Sequence, residues 1–273
     1  MPMKVALRDA VRASPIGPLI RDLVIEPLNR QSRLNELASE SSKNLPVFLC
    51  PVCDYRGPFA NFKKPGHVFR RYAYCPNCGA QERHRLQARV LEALEPTLNA
   101  SAGRALHFAP EKFFTKRLRK MYGVYKTADL FRRDVDLKLD LSNIALPDES
   151  FDLVYASHVL EHILDDRKVL REIYRILTPG GIAILPVPIT SLTETIEYGH
   201  AKPEDDGHVR APAVDYYDRY REVFDEVTMY DSDDFSSASD DGQLYILAPS
   251  EDGRPEDVKY VDYVPVCRKA KTP

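Results

Sequence analysis

Four cysteines in two matched pairs, Cys50-Pro-Val-Cys53 and Cys75-Pro-Asn-Cys78-Gly79, are the chain's most specific chemical signal. Each Cys-x-x-Cys turn presents two sulfurs toward one point, and the separation is that of a four-thiolate zinc ribbon. A redox dithiol is the competing chemistry, but two matched pairs favour one metal centre. Four thiolates fill a tetrahedral shell, so the expected Zn2+ is structural rather than catalytic. Gly79 relieves the second turn, and residues 68–74 alternate as a strand between the pairs. His67 and His84 flank this module and are not needed as ligands. Cys267 stands alone and reads as a small hydrophobe.

A second group of candidates follows apolar runs. Asp129 ends the run 124–130, Asp140 follows 135–139, and His158-Val-Leu-Glu161-His162 follows 151–156. Carboxylates at the carboxyl ends of strands border the crevice where open parallel sheets bind ligands. A histidine in such a place titrates near neutrality and can take a proton from an acceptor. His158 is the histidine so placed, and His208 lies in a polar loop. Glu161 and His162 read as supports of a helix start. The His-x-x-Glu-His spacing also fits an inverted zinc protease. That chemistry needs both histidines on one helix face, whereas His158 comes directly after a buried strand.

The elements that must hold these residues are legible as a pattern. The chain has 273 residues and a net charge of -3, with 44% hydrophobic and 29% charged residues, the range of a globular chain of one or two domains. The longest uncharged stretch, 176–193, carries three prolines and a Gly-Gly pair, so no membrane span is expected. Arg8, Asp9 and Arg12 interrupt any signal-peptide core, which makes a reducing cytoplasm the expected compartment. From residue 81 onward, helices are expected at 85–98, 111–121, 165–177 and 214–223. Strands are expected at 105–109, 124–130, 135–139, 151–156 and 181–185. An antiparallel pair, 227–230 with 244–247, would close the sheet. Strands alternating with helices imply a parallel sheet covered by helices.

The run Phe151-Asp-Leu-Val-Tyr-Ala-Ser-His158-Val-Leu-Glu161-His162-Ile, followed by Leu170-Arg-Glu-Ile-Tyr-Arg-Ile-Leu-Thr-Pro-Gly-Gly-Ile, resembles class I S-adenosylmethionine-dependent methyltransferases of the type 11 kind. The likeness covers about residues 100–250. It is closest to bacterial forms in which a zinc ribbon runs into an Arg-His-Arg helix, here Arg83-His84-Arg85. It implies a Rossmann-like, doubly wound seven-stranded α/β sheet with an antiparallel terminal strand, preceded by a small four-cysteine zinc ribbon. It further implies that S-adenosylmethionine is held by Ala109, Pro110, Glu111, Asp129, Leu130, Asp140, Leu141, Ser157 and His158. Asp129 would take the ribose, Asp140 the adenine amino group and Glu111 the ammonium. In the methyl transfer that the resemblance implies, His158 is the first candidate base and His208 the second. One departure stands out: the first loop reads His107-Phe-Ala109-Pro110-Glu111, with no glycine where the family carries several. This stretch resembles the zinc-ribbon branch's own variant.

The domains expected are a helical arm (1–45), the ribbon (46–84), the methyltransferase domain (85–250) and a tail (251–273). The arm is the expected oligomer contact. The leading function is O-methylation of a small molecule or saccharide, with Tyr198 and Arg210 near the acceptor. RNA methylation is the alternative, because Phe62, Phe69, Tyr72 and Tyr74 interleave with Lys63, Lys64, Arg70 and Arg71 on the ribbon. A non-catalytic module with a degenerate cofactor site is the third reading. Residues 50–89 hold eight Lys and Arg against two acids, and residues 201–257 hold five against seventeen. Near-neutrality is therefore a cancellation, and the ribbon itself remains basic.

Overall fold

The computed structural model describes residues 21–39, 45–63, 67–190, 193–235, 241–249 and 257–271. Much of the expected arm, including Leu7, Val11, Leu19 and Ile20, lies outside the described residues. Helix α1 (Glu26–Ser39) precedes β1 (Phe48–Leu49), β2 (Arg56–Gly57), β3 (Ala60–Phe62), β4 (Arg70–Tyr74) and α2 (Glu82–Leu94). Then come β5 (Arg104–Phe108), α3 (Lys112–Met121), β6 (Val124–Asp129), β7 (Leu137–Lys138) and β8 (Phe151–Ala156). They are followed by α4 (Asp166–Ile176), β9 (Leu177–Ile184), β10 (Ile196–Lys202), β11 (His208–Ala211), α5 (Asp218–Arg221) and β12 (Glu226–Tyr230). The chain continues through β13 (Ile246–Pro249), β14 (Asp257–Tyr260) and β15 (Val264–Arg268). Among the described residues no helix is long and apolar enough to cross a membrane.

The chain divides into two compact units, each drawn from two stretches of sequence. The first contains residues up to Ala93 together with Asp231–Asp262; the second contains Leu94–Tyr230 and Tyr263–Pro273. These units cut across the expected boundaries at 84/85 and 250/251. The cysteine module recruits a later segment, and the last residues return to the larger unit.

In the first unit β1 and β2 pair antiparallel, and β3, β4, β13 and β14 form a four-stranded sheet in the order β14-β13-β4-β3. Its centre is organised by Arg85 of α2, which is fully buried. The Arg85 guanidinium donates to the carbonyls of Ala73 and Ala80 (both 2.8 Å), Gly242 (2.9 Å) and Gln243 (2.7 Å). It also lies 4.6 Å from the centroid of the Phe59 ring. One fork of donors thereby ties together the second cysteine turn, β4 and a loop far along the chain.

The second unit is a seven-stranded Rossmann-like sheet in the order β12-β15-β9-β8-β5-β6-β7. Strands β9, β8, β5, β6 and β7 are parallel, and β15 runs antiparallel to both neighbours. Helix α4 buries Val169, Leu170, Ile173 and Ile176 against strand residues such as Leu106, Val154 and Ala183. The pairing of 227–230 with 244–247 is corrected: the partner of β12 is β15, while β13 joins the first unit. Val264 to Cys267 are buried without a break, as an interior strand requires, whereas β13 is partly exposed along its length. The expected tail therefore supplies a sheet strand, and Cys267 is one of its packed residues. Strand β9 also begins earlier than expected, at Leu177, because Thr178-Pro-Gly-Gly is absorbed as a bulged entry. The helix start expected near His158 is a short 3₁₀ turn, Leu160–His162; α4 begins only at Asp166, capped by the Asp165 side chain.

Candidate functional site

The four cysteines of the first unit converge. Their sulfurs all lie within 4.8 Å of one another, with Cys50–Cys78 at 3.8 Å and Cys53–Cys75 at 3.7 Å. A tetrahedron of Zn–S bonds of about 2.3 Å has sulfur–sulfur edges of about 3.8 Å, so the donor set and its dimensions fit zinc. The two turns repeat one backbone plan. Asp54 N donates to Cys50 O (2.9 Å) and Gly79 N to Cys75 O (2.8 Å), and Asp54 and Gly79 both have positive φ. Asn77 donates to Cys53 Sγ and the Ala80 amide to Cys78 Sγ, both at 3.4 Å. Such outer bonds favour thiolate over thiol. Packed this closely as free thiols, the four split: Cys53 and Cys75 fall below the usual thiol range while Cys50 and Cys78 rise above it.

In the second unit a cavity of about 730 Å³ opens at the carboxyl ends of the parallel strands. Of the predicted residues, Ala109, Asp129, Leu130, Asp140, Leu141 and His158 line it. Pro110, Glu111, Ser157 and His208 do not. Asp129 Oδ1 accepts from the amides of Phe131 (2.7 Å) and Arg132 (2.8 Å), so the side chain caps its own turn; Oδ2 accepts nothing among the described residues. Asp140 Oδ1 accepts from the amide (2.8 Å) and hydroxyl (2.7 Å) of Ser142, which lower its pKa. Both carboxylates thus serve the local turns and border the cavity. Ser157 is buried.

The glycine-free first loop has its own support. Ala109 adopts a φ of 46°, the left-handed conformation that glycine usually supplies. Beneath it His107 is fully buried, its Nδ1 2.9 Å from the Tyr125 hydroxyl and its Nε2 accepting from the Glu111 amide at 3.4 Å. That amide contact assigns the proton to Nδ1. Burial pushes the His107 pKa down to about 4, so the ring is neutral near pH 7. Arg132, which sequence reasoning did not single out, donates to Pro110 O (2.6 Å) while paired with Asp134. It links the loop after β5 to the loop after β6.

At the other side of the cavity His158 has a φ of 54°, and its amide donates to Pro186 O at 2.8 Å. Its Nδ1 is 3.5 Å from Glu161 Oε1, and His162 Nε2 is 3.8 Å from the same oxygen. Glu161 is 1% exposed. The ring of His208, on β11, meets that of His162 at 4.8 Å between centroids. Burial, reinforced by His162, holds the His208 pKa below its ordinary value. Arg210, expected near an acceptor pocket, is instead buried and donates to the carbonyls of Leu160 (2.7 Å), Ile163 (2.7 Å) and Leu164 (3.0 Å). It fastens β11 to the Leu160–His162 turn. Glu161 and His162 read from sequence as helix supports; the spacing His-x-x-Glu-His was the signal that they stand together with His158.

Residues 116–185 match the family model described as a methyltransferase domain. A curated relative from Mycolicibacterium smegmatis, named a "probable S-adenosylmethionine-dependent methyltransferase", is 30% identical over 87 residues. That match covers 24% of this chain and 34% of the relative, so the chain spans about a third of the relative's length. Among solved structures, an S-adenosylmethionine-dependent methyltransferase from Mesorhizobium loti aligns with a TM-score of 0.44 and 16% identity, over 65% of this chain and 96% of that one. Phosphoethanolamine N-methyltransferase 2 of Haemonchus contortus, solved with S-adenosyl-L-methionine, aligns with a TM-score of 0.44 and 12% identity, over 68% of this chain and 53% of that one. The match over residues 116–185 and the sheet order give the second unit a Rossmann-like methyltransferase fold.

Proposed function

We propose that the chain is an S-adenosylmethionine-dependent methyltransferase acting on a hydroxyl of a small molecule or saccharide, with a structural Zn2+ on Cys50, Cys53, Cys75 and Cys78. The observation that carries the reading is the cavity at the strand ends, which has Asp129 at the end of β6 and His158 at the end of β8. Its volume lies within the 300–1,000 Å³ usual for small-molecule sites. Asp129 Oδ2 is the acceptor for the ribose hydroxyls. Asp140 takes the adenine amino group, with Leu130 and Leu141 along the base. Ala109 faces the methionine end, with Pro110 and Glu111 shaping the turn behind it.

S-adenosylmethionine supplies an activated methyl group on a sulfonium, so transfer depends chiefly on alignment. His158 takes the proton that a hydroxyl acceptor must lose. Glu161, 3.5 Å from His158 Nδ1, orients the ring and stabilises its protonated form. Three of the four basic residues named on the ribbon have acidic partners, which weighs against RNA as the acceptor; Lys64 lies outside the described residues. Arg70 bonds to Glu82 and Gln81 (3.2 Å each), Arg71 pairs with Asp257, and Lys63 lies 3.2 Å from Glu36.

Calorimetry on the zinc-loaded chain tests the reading. S-adenosylmethionine should bind, and Asp129→Ala should weaken binding by about 2 kcal/mol, the range of a charge-assisted hydrogen bond. No heat at millimolar cofactor would remove the methyltransferase reading. Unchanged affinity in the variant would remove the ribose role of Asp129.

A further inference from the structure

Beyond the cysteine cluster, one other group of side chains in the described residues has the composition and spacing of a metal site. Glu161, His162 and His208 offer one carboxylate oxygen and two imidazole nitrogens, all within 4.8 Å of one another. We propose that these three residues bind a divalent first-row transition metal ion beside the cavity, where His162 lines it.

Two imidazoles and a carboxylate are a borderline-soft donor set that suits Zn2+, Fe2+, Co2+ or Mn2+ better than Mg2+ or Ca2+. The ligands differ in burial in a useful way. Glu161 is 1% exposed, while His162 lines the cavity, so an ion there would be anchored from below and open toward a ligand. Three protein ligands leave coordination positions free, unlike the four-thiolate cluster. The outer contacts fit as well. His208 Nδ1 lies 3.6 Å from Asp205 Oδ1, which leaves Nε2 for the metal and gives the other nitrogen the carboxylate partner that ligating histidines usually have. His158 Nδ1, 3.5 Å from Glu161 Oε1, borders the same carboxylate.

The cluster is also held in place. Glu161 and His162 sit on a 3₁₀ turn and His208 on β11, and Arg210 joins the two through three backbone carbonyls. A cation beside His162 would hold an acceptor oxygen and lower its pKa, as bound metals do for water. That consequence rests on the methyltransferase reading; the binding of the ion does not.

Co2+ titration of the metal-free full-length chain tests the site, with metal content read by elemental analysis. Two Co2+ per chain are expected, the first with intense thiolate charge-transfer absorption and the second with only weak d–d bands. His162→Ala and His208→Ala, each expected to keep the first equivalent, should weaken the second by at least ~100-fold, and Asp205→Asn by ~10-fold, the scale of an outer-shell change. A single equivalent in the parent chain would overturn the proposal, as would variants that bind the second as tightly as the parent. A second equivalent in a chain that gives no heat with S-adenosylmethionine would sustain the metal site and remove the methyltransferase reading. One equivalent with normal cofactor binding would remove the metal site alone.

Discussion

At the scale of single residues, the first loop of the larger unit shows how a glycine can be replaced. Ala109 takes the left-handed conformation, and His107 beneath it accepts from the Glu111 amide. The sequence showed the missing glycine but not its substitute, because a backbone dihedral and a buried ring leave no periodic mark. Ala109→Gly should raise the urea midpoint, since a left-handed alanine costs about 1 kcal/mol; a lower midpoint would show that the methyl group is needed for packing. His107 gives a pH prediction. Its pKa in the folded chain is about 4, against 6.5 as its reference value, so the unfolded chain binds the proton more readily. Its contribution is complete above pH 6.5 and is lost as pH falls toward 4, a span of about 3 kcal/mol. Equilibrium unfolding of His107→Gln across this range should show a shallower loss than the parent; parallel curves would contradict the assignment.

At the scale of elements, the parallel strands and the cysteine turns were readable because each carries a local pattern: apolar runs of strand length, and paired Cys-x-x-Cys. The partner of β12 was not readable. A proline such as Pro265 is disfavoured in an interior strand, and nothing local distinguishes β13 from β15 as its neighbour. Arg85 was equally hidden, since its carbonyl partners at Gly242 and Gln243 lie 157 and 158 residues further along the chain. Replacing Arg85 with Leu would leave several buried carbonyls without a donor. The smaller unit should lose at least about 3 kcal/mol, seen as faster reaction of its cysteines with a thiol reagent. Arg85→Lys should not restore it, because one ammonium cannot span the fork. If the lysine variant protected the cysteines as well as the parent does, bidentate geometry would not be what holds the unit together.

At the scale of the whole molecule, the net charge of -3 conceals a basic cysteine module and an acidic later segment. Composition alone showed this. It did not show that part of the acidic segment, Asp231–Asp262, belongs to the module whose charge it offsets. This excursion leaves and rejoins the large sheet at one place, because Tyr230 is paired with Val264. If a chelator unfolds the module, the excursion becomes a free loop of about thirty residues, whose closure costs about 3 kcal/mol. Two unfolding transitions are expected after zinc removal, the larger unit melting at a lower temperature than in the zinc-loaded chain. A single unchanged melt would exclude this coupling. The order of strands also bears on synthesis. β15 lies between β9 and β12 yet follows both in the chain. While a ribosome is still making residues 231–263, β9 has an open edge and β12 has no place to dock. Over that interval the nascent sheet is exposed to strand pairing with another chain. β15, emerging after both of its neighbours, is the strand that closes it.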